Sequence, residues 1–275
     1  MIITKEVSNE LDCETSSSDA SVMVHSSPFL ETNSKLSKRA LVILNSPIRS
    51  PPSPLFQELW DASCYRVCAD GGANRLYQAN PALVPDLIRG DLDSLEPHVR
   101  AHYAEKGVSI EQNPCQDSND LEKALTAILN TSQAYSSIII YGAFGGRFDQ
   151  EMASIQALYK WGPLFHNKLL LLDDRTSAFL LPAGVKNEIR MPRFGNPPYK
   201  QGLGEGPTCG LIPIGSKCDK VVTSGFKWDL DGSIPLEFGG LVSTSNHLSE
   251  PIVTVEASNP LVFMAEVACG IEGVF

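Results

Sequence analysis

The segment DLIRGDLDSLEP, residues 86–97, places two carboxylates, Asp91 and Asp93, one residue apart directly after an apolar run that predicts a β-strand. Like charges this close repel each other, so each carboxylate resists ionisation unless a cation or a hydrogen-bond donor offsets the repulsion. The pair therefore predicts a bound partner, either a cation or a set of donors.

Other acidic residues follow strand-like runs or open helix-like runs in the same part of the chain, namely Asp70, Asp117, Asp120 and Asp149. In a parallel α/β sheet the carboxyl ends of the strands share one edge, and ligands bind in the crevice there. Several carboxylates at that edge favour Mg²⁺, which proteins commonly share between carboxylates and substrate phosphates. We therefore expect a magnesium site.

Two glycine clusters lie beside these acids. Gly71 and Gly72 follow a predicted strand, and Gly145 and Gly146 precede a predicted helix that begins near Arg147. Glycine lets backbone N–H groups approach phosphate oxygens, and arginine binds phosphate through two hydrogen bonds. Neither the P-loop pattern nor the G-x-G-x-x-G pattern occurs, so a nucleotide would be held in another way.

Each feature also has a purely structural interpretation. Aspartate is a common helix N-cap, a role open to Asp70, Asp120 and Asp149. Arg147 could form a surface ion pair, and the two glycines before it could serve only a tight turn. Trp228, in an apolar run, would by default belong to a β-domain core. The close pair of Asp91 and Asp93 fits a capping role least, because a cap needs one acid.

Composition excludes several classes of protein. The chain has 275 residues and a formal net charge of −10, which argues against a protein that binds nucleic acid through a basic face. Its 7 cysteines are odd in number and form no C-x-x-C pair, so a reducing compartment is expected. The acidic N-terminus resembles no signal peptide, and no apolar run reaches the roughly 20 residues of a membrane span. We predict a cytoplasmic protein that binds no membrane.

Three regions follow from the hydrophobic pattern. Residues 1–38 are polar and predict a disordered extension. Residues 39–175 alternate strand-like and helix-like runs, which predicts an α/β domain with a mostly parallel sheet. Residues 176–275 contain short apolar runs separated by turns, which predicts an all-β sandwich. Within this last region, the Gly/Pro-rich segment near 190–207 predicts an exposed loop or an insertion.

The ordered motifs CADGGANRLY, IRGDLDSL, QDSNDLEKAL, GAFGGRFDQ, CGLIPIG, TSGFKWDL and FGGLVSTSN resemble those of thiamine pyrophosphokinases of the eukaryotic type. The resemblance covers residues of about 40–270. It implies an N-terminal α/β catalytic domain, a C-terminal β-sandwich that binds thiamine, and a homodimer with sites at the subunit interface. It also implies Mg²⁺-dependent transfer of pyrophosphate from ATP to thiamine.

The resemblance assigns roles to individual residues. It implies that Mg²⁺ is held by Asp91, Asp93 and Asp120, with Asp70 and Asp149 in the same acidic cluster. The expected catalytic residues are Asp70, Asp91, Asp93, Asp120 and Arg147, with Asp70 or Asp93 as the candidate that accepts the hydroxyl proton. The resemblance predicts an ATP site at Gly71, Gly72, Gln116, Asn119, Gly145, Gly146, Arg147 and Asp149, and a thiamine site at Trp228, Ser243 and Ser245. Two positions depart from the common pattern: Asn119 stands where Thr is frequent and Leu92 where Phe is frequent.

The sequence also allows two other functions. The sequence DLDS after an apolar run is similar to the start of phosphatases that form a phospho-aspartate, although Ser94 breaks the expected spacing to Thr or Val. A nucleotide-binding sensor without catalytic activity is the second rival.

Overall fold

The structure, a computed structural model, describes residues 21–27, 38–131, 133–191 and 203–269. Within these residues the helices are α1 (Pro54–Ala62), α2 (Gly72–Ala79), α3 (Pro97–Glu105), α4 (Asp120–Leu129) and α5 (Phe148–Trp161). The strands are β1 (Val22–Ser26), β2 (Arg39–Ile43), β3 (Tyr65–Ala69), β4 (Leu87–Gly90), β5 (Ser109–Gln112), β6 (Ser137–Tyr141), β7 (Leu169–Leu172), β8 (Thr176–Leu181), β9 (Lys186–Arg190), β10 (Leu203–Ile212), β11 (Val221–Ser224), β12 (Ser243–His247), β13 (Ile252–Ala257) and β14 (Leu261–Cys269).

The first half of the chain forms a parallel sheet in the order β7-β6-β2-β3-β4-β5. Strands such as RALVI and LLLL are buried along their whole length, since helices cover both faces of the sheet. Buried side chains of α1, α2 and α3 pack with one core cluster, whereas those of α4 and α5 pack with the other. From β2 the chain adds β3, β4 and β5 on one side, and it then adds β6 and β7 on the other side. In such sheets a ligand-binding crevice forms at the carboxyl ends of the two strands where the order reverses, here β2 and β6.

The second half of the chain extends the same sheet. Strand β8 pairs antiparallel with β7, and β14, β10 and β12 follow, so that one ten-stranded sheet crosses the predicted boundary at residue 175. A four-stranded sheet, β1-β9-β13-β11, packs against this extension. Ile189 and Val255 of the small sheet share a buried cluster with Leu211 and Phe263 of the large one. The α/β domain followed by a β-sandwich is thus confirmed, and the predicted boundary itself stays a prediction.

The predicted disordered extension over 1–38 is wrong for residues 22–26, which form β1 at the edge of the four-stranded sheet, parallel to β9. Besides its pairing with β9, this short strand is anchored by His25. Its ring is buried, stacks 4.9 Å from the ring of Phe179, and lies 3.0 Å through Nε2 from Oδ1 of Asn187. Residues 1–20 and 28–37 lie outside the described part of the chain.

The expected loop near 190–207 is partly wrong as well. Strand β9 continues to Arg190, and β10 already begins at Leu203 and pairs with β14. Residues 192–202 lie outside the described residues. Among the helices that the structure describes, none is long and apolar enough to cross a membrane.

Candidate active site

Three carboxylates meet at the carboxyl edge of the parallel sheet. Asp70 follows β3, Asp91 follows β4, and Asp120 opens α4; oxygen atoms from all three lie within 4.8 Å of one another. We call these three residues the acidic triad. The parallel register of β3 and β4 brings the first two together, because it ends both strands at the same level. The sequence predicted this convergence, although it assigned Asp93 rather than Asp70 to the metal ligands.

Local backbone geometry makes the close approach possible. Asp70 adopts a φ of 42°, in the left-handed region that costs a non-glycine residue about 1–2 kcal/mol. Hydrogen bonds hold it there: its N–H donates to the Arg89 carbonyl at 3.0 Å, and its Oδ2 accepts from the Ser94 N–H at 3.2 Å. On the neighbouring strand, Gly90 leaves room for the aspartate, because any Cβ there would collide with the Asp70 side chain.

The triad has the chemistry of a cation site. Asp70 is 3% exposed, and its Oδ1 is a buried oxygen without a hydrogen-bond partner. Burial raises the pKa of Asp70, and the negative charge of Asp120 raises it further. A buried, unpartnered carboxylate oxygen is costly unless a cation or a proton satisfies it. Hard divalent cations prefer such oxygen ligands, so the residues present fit a divalent metal ion.

Lys123 is a site residue that the sequence analysis missed. It lies one turn after Asp120 on α4, with its Nζ 3.1 Å from Oδ1 of Asp120 and 3.7 Å from Oδ2 of Asp91. The lysine is 3% exposed. A spacing of three residues on a helix was the available signal, because such residues share one face.

Asp93 lies beside the triad but outside it. Its side chain is exposed, and its Oδ1 accepts a hydrogen bond from the Ser94 hydroxyl at 2.9 Å. Leu92 has a φ of 64°, so the chain turns sharply between the two acids, and the Asp93 N–H donates to Oδ1 of Asp91 at 3.2 Å. The role of Asp93 as a metal ligand therefore stays a prediction.

The glycines beside the triad have different surroundings. A Cβ on Gly71 would lie 2.4 Å from Nδ2 of Asn45, and one on Gly72 would lie 2.2 Å from the Ile43 carbonyl oxygen. Both glycines therefore let α2 start directly against the end of β2.

The N–H groups of Gly145 and Gly146 both donate to Oε1 of Glu151, at 2.8 and 3.1 Å. A carboxylate thus occupies the donors that were predicted to bind phosphate.

Arg147 and Asp149 form an exposed ion pair at the start of α5, with Nε of the arginine 3.0 Å from Oδ1 of the aspartate. The hydrogen bonds from Arg147 lower the pKa of Asp149 below its ordinary value.

The N-cap interpretation of Asp70, Asp120 and Asp149 is wrong. The capping residues of α2, α4 and α5 are Gly71, Asn119 and Arg147.

Two residues that were predicted to bind ATP form hydrogen bonds with residues close to them in the chain. The side-chain oxygen of Asn119 accepts a hydrogen bond from the Glu122 N–H at 2.9 Å, which makes it the N-cap of α4. Gln116 is exposed, and its Nε2 lies 3.3 Å from the Pro114 carbonyl oxygen. Their predicted contacts with ATP stay predictions.

Trp228 lies on the surface of the β-domain in the turn after β11. Its side chain is 53% exposed, so the core interpretation is wrong. Asn246 of β12, a residue that the sequence analysis missed, fixes the turn by accepting from the Trp228 N–H at 3.2 Å and donating to its carbonyl at 2.9 Å. Ser243 and Ser245 belong to this same strand, and Ser245 has a φ of 56°. The two serines therefore lie on the strand that holds the tryptophan.

The face of the Trp228 ring already attracts a cation. Nζ of Lys227 lies 4.4 Å from the ring centroid, a distance typical of cation–π contact. An exposed indole whose backbone is held by Asn246 can serve as a stacking platform for a flat cationic ring.

Comparisons with known proteins agree with this arrangement. The family model described as "Thiamin pyrophosphokinase, catalytic domain" matches residues 56–171, and the one described as "Thiamin pyrophosphokinase, vitamin B1 binding domain" matches residues 196–262. A thiamine pyrophosphokinase 1 of Oryza sativa subsp. japonica is 36% identical over 271 residues, which cover 88% of this chain and 96% of that protein. A thiamine pyrophosphokinase 1 of Arabidopsis thaliana is 37% identical, with 88% and 92% covered.

Solved structures show the same fold. Yeast thiamin pyrophosphokinase superposes with a TM-score of 0.75 at 26% identity, and the match covers 92% of this chain and 93% of that one. The enzyme from Candida albicans gives 0.72 at 27% identity, with 90% and 93% covered.

Fold and site together define an α/β enzyme with a fused β-sandwich and an acidic cluster at the strand ends. The chain belongs to the thiamine pyrophosphokinase family. The comparisons support neither the phospho-aspartate phosphatase nor the sensor without catalytic activity.

Proposed function

We propose that this chain transfers the pyrophosphate group of ATP to the hydroxyl of thiamine, giving thiamine pyrophosphate and AMP. The observation that carries the proposal is the acidic triad at the carboxyl edge of the α/β sheet, with one buried oxygen of Asp70 unpartnered. The matches to both domains of the family support the choice of substrates.

Mg²⁺ is the proposed metal, held by the acidic triad of Asp70, Asp91 and Asp120. When bound, it supplies positive charge that offsets the negative charge developing on the transferring group. Asp93, two positions after Asp91 and exposed, is proposed to join the ligands when a metal-bound triphosphate binds. The small size of Mg²⁺ and its preference for carboxylate and phosphate oxygen support this assignment.

ATP is proposed to bind in the crevice between the ends of β2 and β6, close to the glycines before α5. Arg147 is 75% exposed in its side chain and pairs only locally with Asp149, so its guanidinium can turn to a phosphate at little cost. Binding a phosphate at Gly145 and Gly146 would require Glu151 to leave their N–H groups. These residues thus position the triphosphate, which is the main requirement of phosphoryl-type transfer.

Thiamine is proposed to stack on Trp228, whose ring already holds the ammonium of Lys227 and would hold a thiazolium in the same way. Ser243 and Ser245 would line the same site.

A homodimer is proposed, with each site built from the α/β domain of one subunit and the Trp228 region of the other. Of the 11 large apolar side chains that are exposed in the described residues, 5 fall between positions 222 and 241, namely Val222, Trp228, Ile234, Phe238 and Leu241. Backbone bridges such as that between Leu236 and Leu241 fold this segment together. A concentration of exposed apolar side chains is typical of an interface.

We place the reaction in the cytoplasm. The described cysteines Cys64, Cys68, Cys115, Cys209 and Cys218 are all free thiols, as expected of a reducing compartment.

Incubation of the purified chain with ATP, thiamine and MgCl₂, followed by mass spectrometry of the products, tests the proposed function. The proposal requires AMP and thiamine pyrophosphate. Release of inorganic phosphate alone would favour a phosphatase, and unchanged ATP and thiamine would favour a binding protein.

A further inference from the structure

Lys123 is a buried cation inside the acidic site. Its side chain is 2% exposed, and its Nζ lies 3.1 Å from Oδ1 of Asp120 and 3.7 Å from Oδ2 of Asp91. A buried ammonium is costly unless oppositely charged groups surround it, so this contact fixes the lysine and both aspartates relative to one another. Neither packing nor helix formation requires a lysine at position 123, because an apolar side chain would fill the same buried space.

The charges of the site leave room for one divalent ion. The triad carries three negative charges when ionised, and Lys123 contributes one positive charge, so two negative charges remain. Three carboxylates within 4.8 Å would repel one another strongly without a cation among them. Lys123 offsets part of this repulsion before any metal binds.

We propose that Lys123 is a positioning residue, a built-in counterion that holds Asp91 and Asp120 close together in the metal-free site by offsetting part of their mutual repulsion. The inference rests on the proposed function in one respect, since it takes the triad to be the metal site. It does not depend on which substrates the enzyme uses.

A purely structural role makes a different prediction. If Lys123 only filled space and formed an ion pair, its loss would lower stability by the same amount with and without metal. If it is the counterion of an unfilled cation site, a metal ion can supply the charge that the variant lacks. The stabilisation that added metal gives must then be larger in the variant than in the wild type.

The experiment compares Lys123→Met with the wild type and with Lys160→Met. Methionine keeps the length of the side chain and removes its charge. Lys160 of α5 is the control for loss of an ion pair on α4, because its Nζ lies 2.5 Å from Oε1 of Glu122 and its side chain, 52% exposed, lies outside the triad. Melting temperatures are measured without substrates, first in chelator and then with MgCl₂ or MnCl₂.

We expect Lys123→Met to melt several degrees lower than the wild type in chelator and to gain more from added metal than the wild type gains. Lys160→Met should gain as much from metal as the wild type does. A gain in Lys123→Met that is no larger than the wild-type gain, or a melting temperature in chelator equal to that of the wild type, would overturn the inference.

A double variant covers the case in which Lys123→Met does not fold. The chain with both Lys123→Met and Asp120→Asn should then fold, since it removes the partner charge as well. A double variant that also fails to fold contradicts the inference. These readouts need no turnover, so a chain that lacks pyrophosphokinase activity would refute the proposed function and leave this inference standing.

Discussion

Gly90 lies so close to Asp70 that a Cβ on the glycine would stand 2.6 Å from Cβ of the aspartate and 3.1 Å from Oδ1 of Asp120. Real Cβ atoms do not approach other heavy atoms at 2.6 Å. The absence of a side chain at the glycine of DLIRGD therefore allows Asp70 to approach the other two carboxylates. A glycine on β4 thus determines where the carboxylate after β3 can lie.

Gly90→Ala should therefore damage both the fold and the site. Relieving the collision would push Asp70 away from Asp120, and overpacking of this kind costs about 1–3 kcal/mol of stability. We expect a lower free energy of unfolding and a large loss of kcat, measured by urea denaturation and steady-state kinetics. Gly146→Ala is the stability control, because its nearest neighbour would be Oγ of Ser46 at 3.8 Å. Equal stability of the two variants would show that Gly90 is not under steric constraint.

Asp91→Asn and Asp93→Asn should separate two kinds of ligand. Both variants should lose most turnover, because each removes a negative charge near the transferring group. Only Asp91→Asn should weaken metal binding in the absence of ATP, since Asp91 belongs to the triad and Asp93 lies outside it. Titration of Mn²⁺ followed by calorimetry measures this difference, with circular dichroism to check the fold. Equal loss of Mn²⁺ affinity in both variants would place Asp93 in the apo metal site.

Trp228→Ala should weaken thiamine binding by roughly 1 to 3 kcal/mol through lost stacking and cation–π contact, with little effect on ATP. Because the indole is exposed, the substitution should leave the melting temperature nearly unchanged. The measurement is the KM for each substrate. Trp161→Phe is the control, since that indole, at the end of α5, is partly buried against the core cluster that includes α4 and α5. An unchanged KM for thiamine would remove Trp228 from the site.

Subunit mixing tests the proposed dimer. If Trp228 and the triad of one site come from different subunits, each heterodimer of a Trp228→Ala chain and an Asp91→Asn chain should have about half the wild-type rate, because one of its two sites is intact. Random exchange at a 1:1 ratio makes about half of the dimers heterodimers, so the mixture should recover about a quarter of the wild-type rate. Activity against mixing ratio is the readout. Proven heterodimers without recovery would place both groups on the same chain.

Glu205→Gln should become more stabilising, relative to the wild type, as pH rises. Glu205 is fully buried in a cavity of about 150 Å³ that His25 and Lys168 also line, and burial raises its pKa above the ordinary 4.5. The folded protein therefore keeps a proton that the unfolded chain has lost, so wild-type stability falls as pH rises above about 4.5 toward the raised pKa.

The glutamine variant lacks this dependence. The difference in unfolding free energy should grow by up to about 1.4 kcal/mol per pH unit within that window, as measured by urea denaturation at several pH values. Glu256→Gln, at an exposed position of β13, is the control for the loss of a surface carboxylate. A difference that does not change with pH would mean that Glu205 titrates normally.

The sequence predicted which edge of the sheet carries the catalytic acids, because acidic residues directly follow the predicted strands along the chain. It could not predict which carboxylates touch. Asp70 joins Asp91 and Asp120 because β3 and β4 are neighbours in register and Gly90 leaves room between them. Such distances depend on the pairing of strands that are separated along the chain.

Other features were missed for different physical reasons. Helix α1 begins inside a Pro/Ser-rich run that resembles a loop, although Ser53 as N-cap and Pro54 as first residue are a recognised helix start. Strand β1 is short and half exposed, so it is stable only because β9 offers it an edge. Asn246 supports Trp228 from 18 residues away, a contact that no local pattern encodes.

In the proposed reaction, one step moves an intact pyrophosphate group from ATP to thiamine at the acidic triad. A quenched time course that quantifies AMP, ADP, thiamine monophosphate and thiamine pyrophosphate distinguishes this step from two successive phosphate transfers, with Asp91→Asn as the inactive comparison. We predict one AMP for each thiamine pyrophosphate from the first time point, without ADP or thiamine monophosphate. Formation of ADP with thiamine monophosphate, or equal turnover by Asp91→Asn, would contradict the account.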